Sequence, residues 1–288
     1  MKITNKGERA FDVVNNIIMC FVGLACFFPF VYMMALSLSS AEAVINNQVT
    51  LWPVGLNFDS YKQIFSYPNF FKAYGNTLFY TIAGTTISLF MTVIFAYPLS
   101  KSYLKGKNII MKFVVFSMFF SGGLIPNYLV VSSMNLTNTV WAMLLPFAIN
   151  QFNLIILINF FKGIPEEIEE AAIIDGLNYF GILLRIVLAL SMPAIATIAL
   201  YTAVFFWNDW FNGLIYLRAD QFPVMLFLRN IVNGAASIGD GAGSADKSTI
   251  EITIKSAVIM TTTIPIICLY PFMQRFFVKG LTLGAVKG

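Results

Sequence analysis

Six stretches of this chain, at about 13–38, 76–98, 109–133, 140–161, 186–210 and 256–274, are apolar over the roughly 18 residues or more that a helix needs to cross a bilayer. In hydrocarbon no water is present to bond the peptide groups, so a spanning segment must be a helix or part of a closed barrel. The alternation of a barrel strand is absent from these runs, which leaves an all-α bundle of six transmembrane helices in a single domain over residues 1–288. Composition agrees: 58% of residues are hydrophobic and 11% charged, against about 45–50% and 25% in ordinary soluble domains.

Cations set the orientation. With the N-terminus in the cytoplasm, the inner segments hold Lys2, Lys6, Arg9, Lys101, Lys105, Lys107, Lys112, Lys162, Arg185, Arg275, Lys279 and Lys287, which is 12 of the 18 basic residues. The outer segments hold Lys62, Lys72, Arg218, Arg229, Lys247 and Lys255. Both termini are therefore expected in the cytoplasm. The first run precedes an Ala41-Glu42-Ala43 pattern, but its apolar length exceeds the 7–15 residues or so of a signal core, so an uncleaved anchor is expected.

The chain has no histidine, and Cys20, Cys26 and Cys268 all lie within apolar runs. Neither a metal site nor a disulfide is expected. Lys247-Ser248 follows several glycines, but Asp246 stands where a phosphate-binding loop has glycine, and no strand precedes it. No nucleotide site and no nucleic-acid partner are indicated.

The connections differ in kind. The outer segment 39–75 contains LWPVGLNFDSYKQIFSYPNFF, whose aromatics suit a short amphipathic cap at headgroup level. KSYLKGKN forms a small basic turn between the second and third runs. The outer loop 211–255 includes NGAASIGDGAGSADKST, a glycine-rich composition typical of a mobile loop.

The fourth and fifth runs are joined by residues 162–185, containing IPEEIEEAAIIDG, with five carboxylates in thirteen residues. Pro165 suits the start of a helix, where a missing N–H costs nothing. Glu166 and Glu167 then complement the helix dipole, and Gly176 is a natural stop. Ile168, Ala171 and Ala172 share one face of a helix of about ten residues, roughly 15 Å long and too short to span a bilayer. Such a helix either lies on the headgroups or docks into a protein groove. Anionic headgroups repel four glutamates and an aspartate, which favours docking.

EAAIIDG (Glu170 to Gly176), followed by FGILLRIVLALSMP (Phe180 to Pro193), resembles the EAA motif of ABC-importer permeases. Glu170, Ala171, Ala172, Asp175, Gly176, Phe180, Ile186, Leu188 and Pro193 match, whereas Leu177 and Ala189 depart from it. GLIPNYLV (Gly123 to Val130), the Trp207-Asn208 pair and the C-terminal FFVKGLTLGAVKG (Phe276 to Gly288) are similar to maltose-type carbohydrate permeases, closest to the second permease subunit of oligosaccharide systems. The likeness runs over nearly the whole chain.

That resemblance implies a type I importer fold in a bacterial or archaeal cytoplasmic membrane. It implies a homologous second permease, two ATPase subunits that use ATP and Mg, and an extracytoplasmic sugar-binding protein. This chain would bind no cofactor and catalyse no reaction. Glu166, Glu167, Glu169, Glu170, Ala171, Ala172, Asp175 and Gly176 would form the coupling helix seated in a cleft of an ATPase. The tail 275–288, through Lys279, Gly280, Leu281, Gly284, Ala285, Val286, Lys287 and Gly288, would reach the ATPases; the alternative is an ordinary frayed end. The outer loop, with Asn233, Gly234, Gly239, Asp240 and Gly241, would touch the sugar-delivering receptor.

Polar groups within spans are costly and hence informative. Asn150, Gln151 and Asn153 cluster in the fourth run, with Asn159 further along it, and Trp207, Asn208 and Asp209 lie near the end of the fifth. Amides bond hydroxyls and aromatic faces stack on sugar rings, so these residues are candidates for a sugar path. Helix-to-helix bonding and interfacial anchoring explain the same residue types. A secondary transporter or channel for a small polar solute is the competing class, and it would need intramembrane carboxylates or repeated halves.

Overall fold

The computed structural model describes residues 6–234, 252–268 and 271. Among them the regular structure is helical. In chain order the helices are α1 (Lys6–Ser37), α2 (Ala41–Ile45), α3 (Asp59–Ser66), α4 (Phe70–Ser100), α5 (Lys107–Phe119), α6 (Leu124–Ser133), α7 (Trp141–Leu144) and α8 (Gln151–Lys162). They continue with α9 (Glu166–Ile174), α10 (Tyr179–Ile182), a π-helical turn Leu183–Val187, α11 (Leu188–Leu190), α12 (Met192–Asn208), α13 (Phe211–Tyr216), α14 (Val224–Gly234) and α15 (Ile252–Cys268). The chain divides into two compact units, residues 1–68 with 228–265, and 69–227 with 266–288.

In the first unit, the most apolar stretch of α1 buries none of its residues against protein. After it, the chain folds back through side chains. Ser39 Oγ accepts the Val54 N–H at 3.1 Å, and Ser40 accepts the Ala43 N–H as the cap of α2. Ala35, Leu36, Ala43, Val44 and Val49 close a small core beneath this loop. The amphipathic cap expected for this segment is the short helix α3. Ser256 of α15, whose hydroxyl donates to the Ile252 carbonyl at 2.9 Å, lies 3.8 Å from the Met33 sulfur of α1.

The second unit is built on α4. Ala73, Thr77, Tyr80, Gly84, Ser88, Thr92 and Ala96 recur every three or four residues and are all buried. Mostly small, they let α12 and α8 pack closely along one face of α4.

Three of the expected spans are interrupted. Residues 109–133 form α5 and α6, bent by 118°. The break lies at Gly122-Gly123, where Gly123 adopts φ +88°, a region that disfavours any side chain. The fourth run divides into α7 and α8 around Pro146, and Asn150 caps α8 by accepting the Asn153 N–H at 3.0 Å. The fifth bends by 81° between Tyr179–Leu190 and Met192–Asn208. Pro193 lies in the first turn after that bend, where it tolerates having no N–H but cannot continue a preceding helix. Hydropathy measures apolar length and is blind to these breaks. Two described helices are long and apolar enough to cross a membrane alone, or four spans if each bent pair counts once.

The first half of the outer loop, residues 211–234, carries α13, a 3-10 turn and α14, whereas the glycine-rich run expected to be mobile lies outside the described residues from residue 235 on. Asn76 donates to the carbonyls of Asp220 and Phe222, both at 3.2 Å. The Tyr80 hydroxyl donates to the Gln221 carbonyl, and Val224 N–H donates to Thr77 Oγ1. Four backbone groups of an irregular segment are thus bonded by side chains of α4, a pairing that local composition cannot reveal.

Candidate functional site

The acidic helix α9 begins after Pro165 (ψ 134°) and ends at Gly176 (φ +83°). Its end is a Schellman turn: Gly176 N–H donates to the Ile173 carbonyl and Leu177 N–H to the Ala172 carbonyl, each at 2.9 Å. Two orphan carbonyls are thereby satisfied, and Leu177 is directed onto the core that holds Ala172.

The helix has two unlike faces. Glu166, Glu167, Glu170, Ala171, Asp175 and Gly176 are exposed, with Ile174 at 86% and Ile173 at 47% exposure. Ala172 is buried at 4% beside Tyr97, Leu99, Phe161, Ile182 and Leu183. The expected shared face of Ile168, Ala171 and Ala172 is therefore split. Ala171 faces out, Ala172 belongs to the protein's own core, and Ile168 is exposed at 39%.

Glu169 is also turned inward. Both its carboxylate oxygens accept hydrogen bonds from Lys101 Nζ, and both side chains are only 12% exposed. The ammonium lies 4.7 Å from the centre of the Tyr97 ring. Lys107 donates to the carbonyls of Ser100 at 3.2 Å and Lys101 at 2.8 Å, and so fixes the end of α4. Partial burial, and then the charge of Lys162, push the Lys107 ammonium below its ordinary value. Sequence reading placed the basic turn and the acidic helix on the same side without pairing them.

A second site lies between helices. Asn150, Gln151 and Asn153 line one cavity of about 390 Å³ with Ser88, Tyr201 and Thr202 and the rings of Phe147, Phe152 and Phe205. Asn153 is 7% exposed and donates weakly to Thr202 Oγ1 at 3.4 Å. Ser88 Oγ is buried without a partner among the described residues. The lining is neutral, with amides and hydroxyls among aromatic rings. Pro146 and Phe147 also line a neighbouring cavity of about 630 Å³ that includes Asn127, Asn212 and Tyr216.

The fifth-run candidates have partners within the protein. Trp207 is buried edge-on to Tyr74, with ring centres 5.7 Å apart. Asn208 donates to the Val204 carbonyl in its own helix. Asp209, 8% exposed, accepts from the backbone and side-chain N–H groups of Asn212 at 2.9–3.1 Å, and reaches the second cavity only through that residue. Ser88, Tyr201 and Thr202 are additions to the expected set. A hydroxyl in register with the buried face of the second run was the available signal for Ser88. Asn233 and Gly234 close α14. Gly239, Asp240, Gly241 and the tail residues Lys279 to Gly288 lie outside the described residues. Among those described, no group of histidine, cysteine or acidic residues could hold a metal.

Apolar helices of membrane length, clefts between helices lined with amides, and an acidic helix tied to the end of α4 fit a membrane permease. No family model matches the chain. It is 43% identical over 287 residues to the protein LplC of Bacillus subtilis, covering 98% of this chain and 97% of the relative. The polygalacturonan/rhamnogalacturonan transport system permease protein YtcP of the same organism is also 43% identical, with 98% and 99% covered. A crystal structure of a bacterial ABC transporter involved in the import of the acidic polysaccharide alginate contains a chain that superposes with TM-score 0.82 at 31% identity, over 96% of this chain and all of that one. The chain belongs to the carbohydrate ABC-transporter permeases. The competing class, a secondary transporter or channel, falls away.

Proposed function

We propose that this chain is one of two homologous permease subunits of an ATP-driven importer that moves an oligosaccharide through a bacterial or archaeal cytoplasmic membrane. It spans that membrane six times with both termini inside, the bent and divided segments each counting as one span. Two separate ATPase subunits bind and hydrolyse ATP with Mg, and an extracytoplasmic binding protein delivers the sugar. The relatives named for polygalacturonan/rhamnogalacturonan transport and for import of the acidic polysaccharide alginate support polysaccharide fragments of that kind as candidate substrates.

The observation that carries this reading is the outer face of α9, with Glu166, Glu167 and Glu170 around a largely exposed Ile174. An isoleucine surrounded by carboxylates suits neither a lipid surface nor plain solvent. It does suit a protein cleft that supplies an apolar floor and basic or amide donors at its rim. Glu170→Lys reverses the charge at that rim without touching the protein's own core. Co-purification of the ATPase with the full transporter is expected to drop sharply while membrane insertion stays normal. Unchanged association and uptake would refute the docking role.

The cavity around Gln151 and Asn153 is read as part of the sugar path. Its amides and the unpartnered Ser88 hydroxyl can bond sugar hydroxyls, and its rings offer stacking surface. The C-terminal tail is read as a second ATPase contact and the loop around Asn233 to Asp246 as a receptor contact. Both rest on the family resemblance.

A further inference from the structure

Helix α9 is joined to the chain at both ends by non-helical residues, extended Pro165 and left-handed Gly176. No continuous helix runs from it into the bundle. What holds it there is its inward face, where Ala172 enters the core and Glu169 grips Lys101. A second tie lies beside the first: the rings of Tyr103, in the basic turn, and Tyr179, after α9, are 6.3 Å apart. The 12% exposure of both charged side chains sets Glu169 apart from the fully presented Glu166, Glu167 and Glu170.

Stability alone does not account for such a pair. Two charges taken out of water roughly break even against an apolar pair of similar size. What the pair supplies instead is relative position: one ammonium engages both oxygens of Glu169, so turning α9 away from the last turn of α4 would separate two largely buried charges. That turn is itself clamped, because Lys107 holds the carbonyls of Ser100 and Lys101. On the same helix Ser88 lies thirteen residues back, about 20 Å along the axis, in the wall of the neutral cavity.

We propose that the Lys101–Glu169 ion pair is an internal strut that transmits displacement of α9 to α4, and that both are positioning residues which do not themselves touch the ATPase. This rests on the reading of α9 as the ATPase-docking helix. An external force on the exposed face of α9 then moves α4 as one body with it, and the cavity wall at Ser88 follows. Without the pair, only Ala172 and the Tyr103–Tyr179 contact hold the inward face, and less of the force reaches α4.

The test uses the complete transporter, with partner permease and ATPase subunits, in lipid nanodiscs. Cys20, Cys26 and Cys268 are replaced by alanine, and Tyr201→Cys reports on the cavity through labelling by a water-soluble maleimide. The probe is MgATP with vanadate, so the sugar need not be known. In the parent, trapping is expected to change the labelling rate. In Lys101→Met and in Glu169→Gln the ATPase stays associated and hydrolyses ATP, but the labelling change falls by about fivefold or more, the lower end of ordinary coupling between sites. The charge swap, Lys101→Glu with Glu169→Lys, restores it.

If a lone buried charge prevents insertion, the apolar double variant Lys101→Met with Glu169→Met takes the place of the single variants, and the same loss is expected. A parental response in the single variants, or in that double variant, overturns the proposal. So does a swap that keeps the ATPase but not the response. Loss of ATPase association from the Glu169 variant alone overturns it as well, because Glu169 would then be a docking residue. Glu170→Lys is measured alongside: retained association there refutes the docking reading itself, separately from the strut.

Discussion

Replacing Gly176 tests the joint at the end of α9 by two separable costs. At φ +83° an L side chain crowds its own backbone, and a left-handed residue of this kind costs about 1–2 kcal/mol. A Cβ built on Gly176 meets nothing within 4 Å, so no packing term is added. Gly176→Ala and Gly176→Leu should therefore loosen the turn equally, while Gly176→Asn, which tolerates this region, loosens it less. The Schellman bonds report the effect directly, because the amides of Gly176 and Leu177 are their donors. Hydrogen exchange at these two amides should quicken by about 5–30-fold in both the alanine and leucine variants, the factor that 1–2 kcal/mol represents. A steep rise from alanine to leucine in the isolated chain would mean that the site is crowded, and unchanged exchange would mean that the turn does not hold the helix end; either refutes the reasoning. Size should matter only for ATPase association, where an exposed glycine would be covered.

Five further outcomes are expected. A Cβ on Gly84 would lie 2.5 Å from the Phe206 ring, so Gly84→Leu should destabilise the α4–α12 contact by about 1–3 kcal/mol, read as a lower melting temperature in detergent. Asn150→Ala removes the cap of α8 and should cost about 1 kcal/mol, whereas Gln151→Ala should weaken sugar uptake with little change in melting. Deleting Thr282 to Gly288 should leave insertion intact but weaken ATPase association or uncouple ATP hydrolysis from uptake; normal coupling would return the tail to an ordinary terminus. Shortening the loop between Asn233 and Asp246 should reduce receptor-stimulated ATP hydrolysis with assembly unchanged, and full stimulation at saturating receptor would count against a contact.

The helical class and the acidic helix were legible in the sequence because each rests on a local signal. Apolar length announces a membrane helix, and Pro165, the glutamates and Gly176 announce a short helix with both its ends. The interruptions were written there as well, in Gly122-Gly123, Pro146 and Pro193, but a window that averages hydropathy passes over residues whose effect is on backbone geometry. What could not be read is long-range. Asn76, Thr77 and Tyr80 meet residues 220–224 across more than 140 positions of chain, and no composition rule pairs them. Trp207, Asn208 and Asp209 join the amides of the fourth run as sugar-path candidates because polar and aromatic groups within spans suit a sugar. In the structure Trp207 packs on Tyr74 and Asp209 bonds Asn212, partners that the sequence alone does not reveal.

The sharpest instance is the start of the EAA motif, Glu170 to Ala172, together with Glu169 just before it. Glu169, Glu170, Ala171 and Ala172 are two acids and two alanines in a row, and successive residues of a helix are about 100° apart on its circumference. Four residues spread over three such steps cannot all serve one surface. Glu170 and Ala171 fall outward, where a carboxylate and a small side chain suit a close protein partner. Ala172 falls inward, where any larger residue would collide with the core of Tyr97, Phe161 and Ile182. Glu169 falls inward too, and it can do so only because Lys101 is there to receive it. The motif therefore combines an exposed outer face with an inner face attached to the protein's own core. On the docking reading proposed above, a helix with only the first would bind its partner and swing freely, and one with only the second would be a buried turn with no surface for a partner.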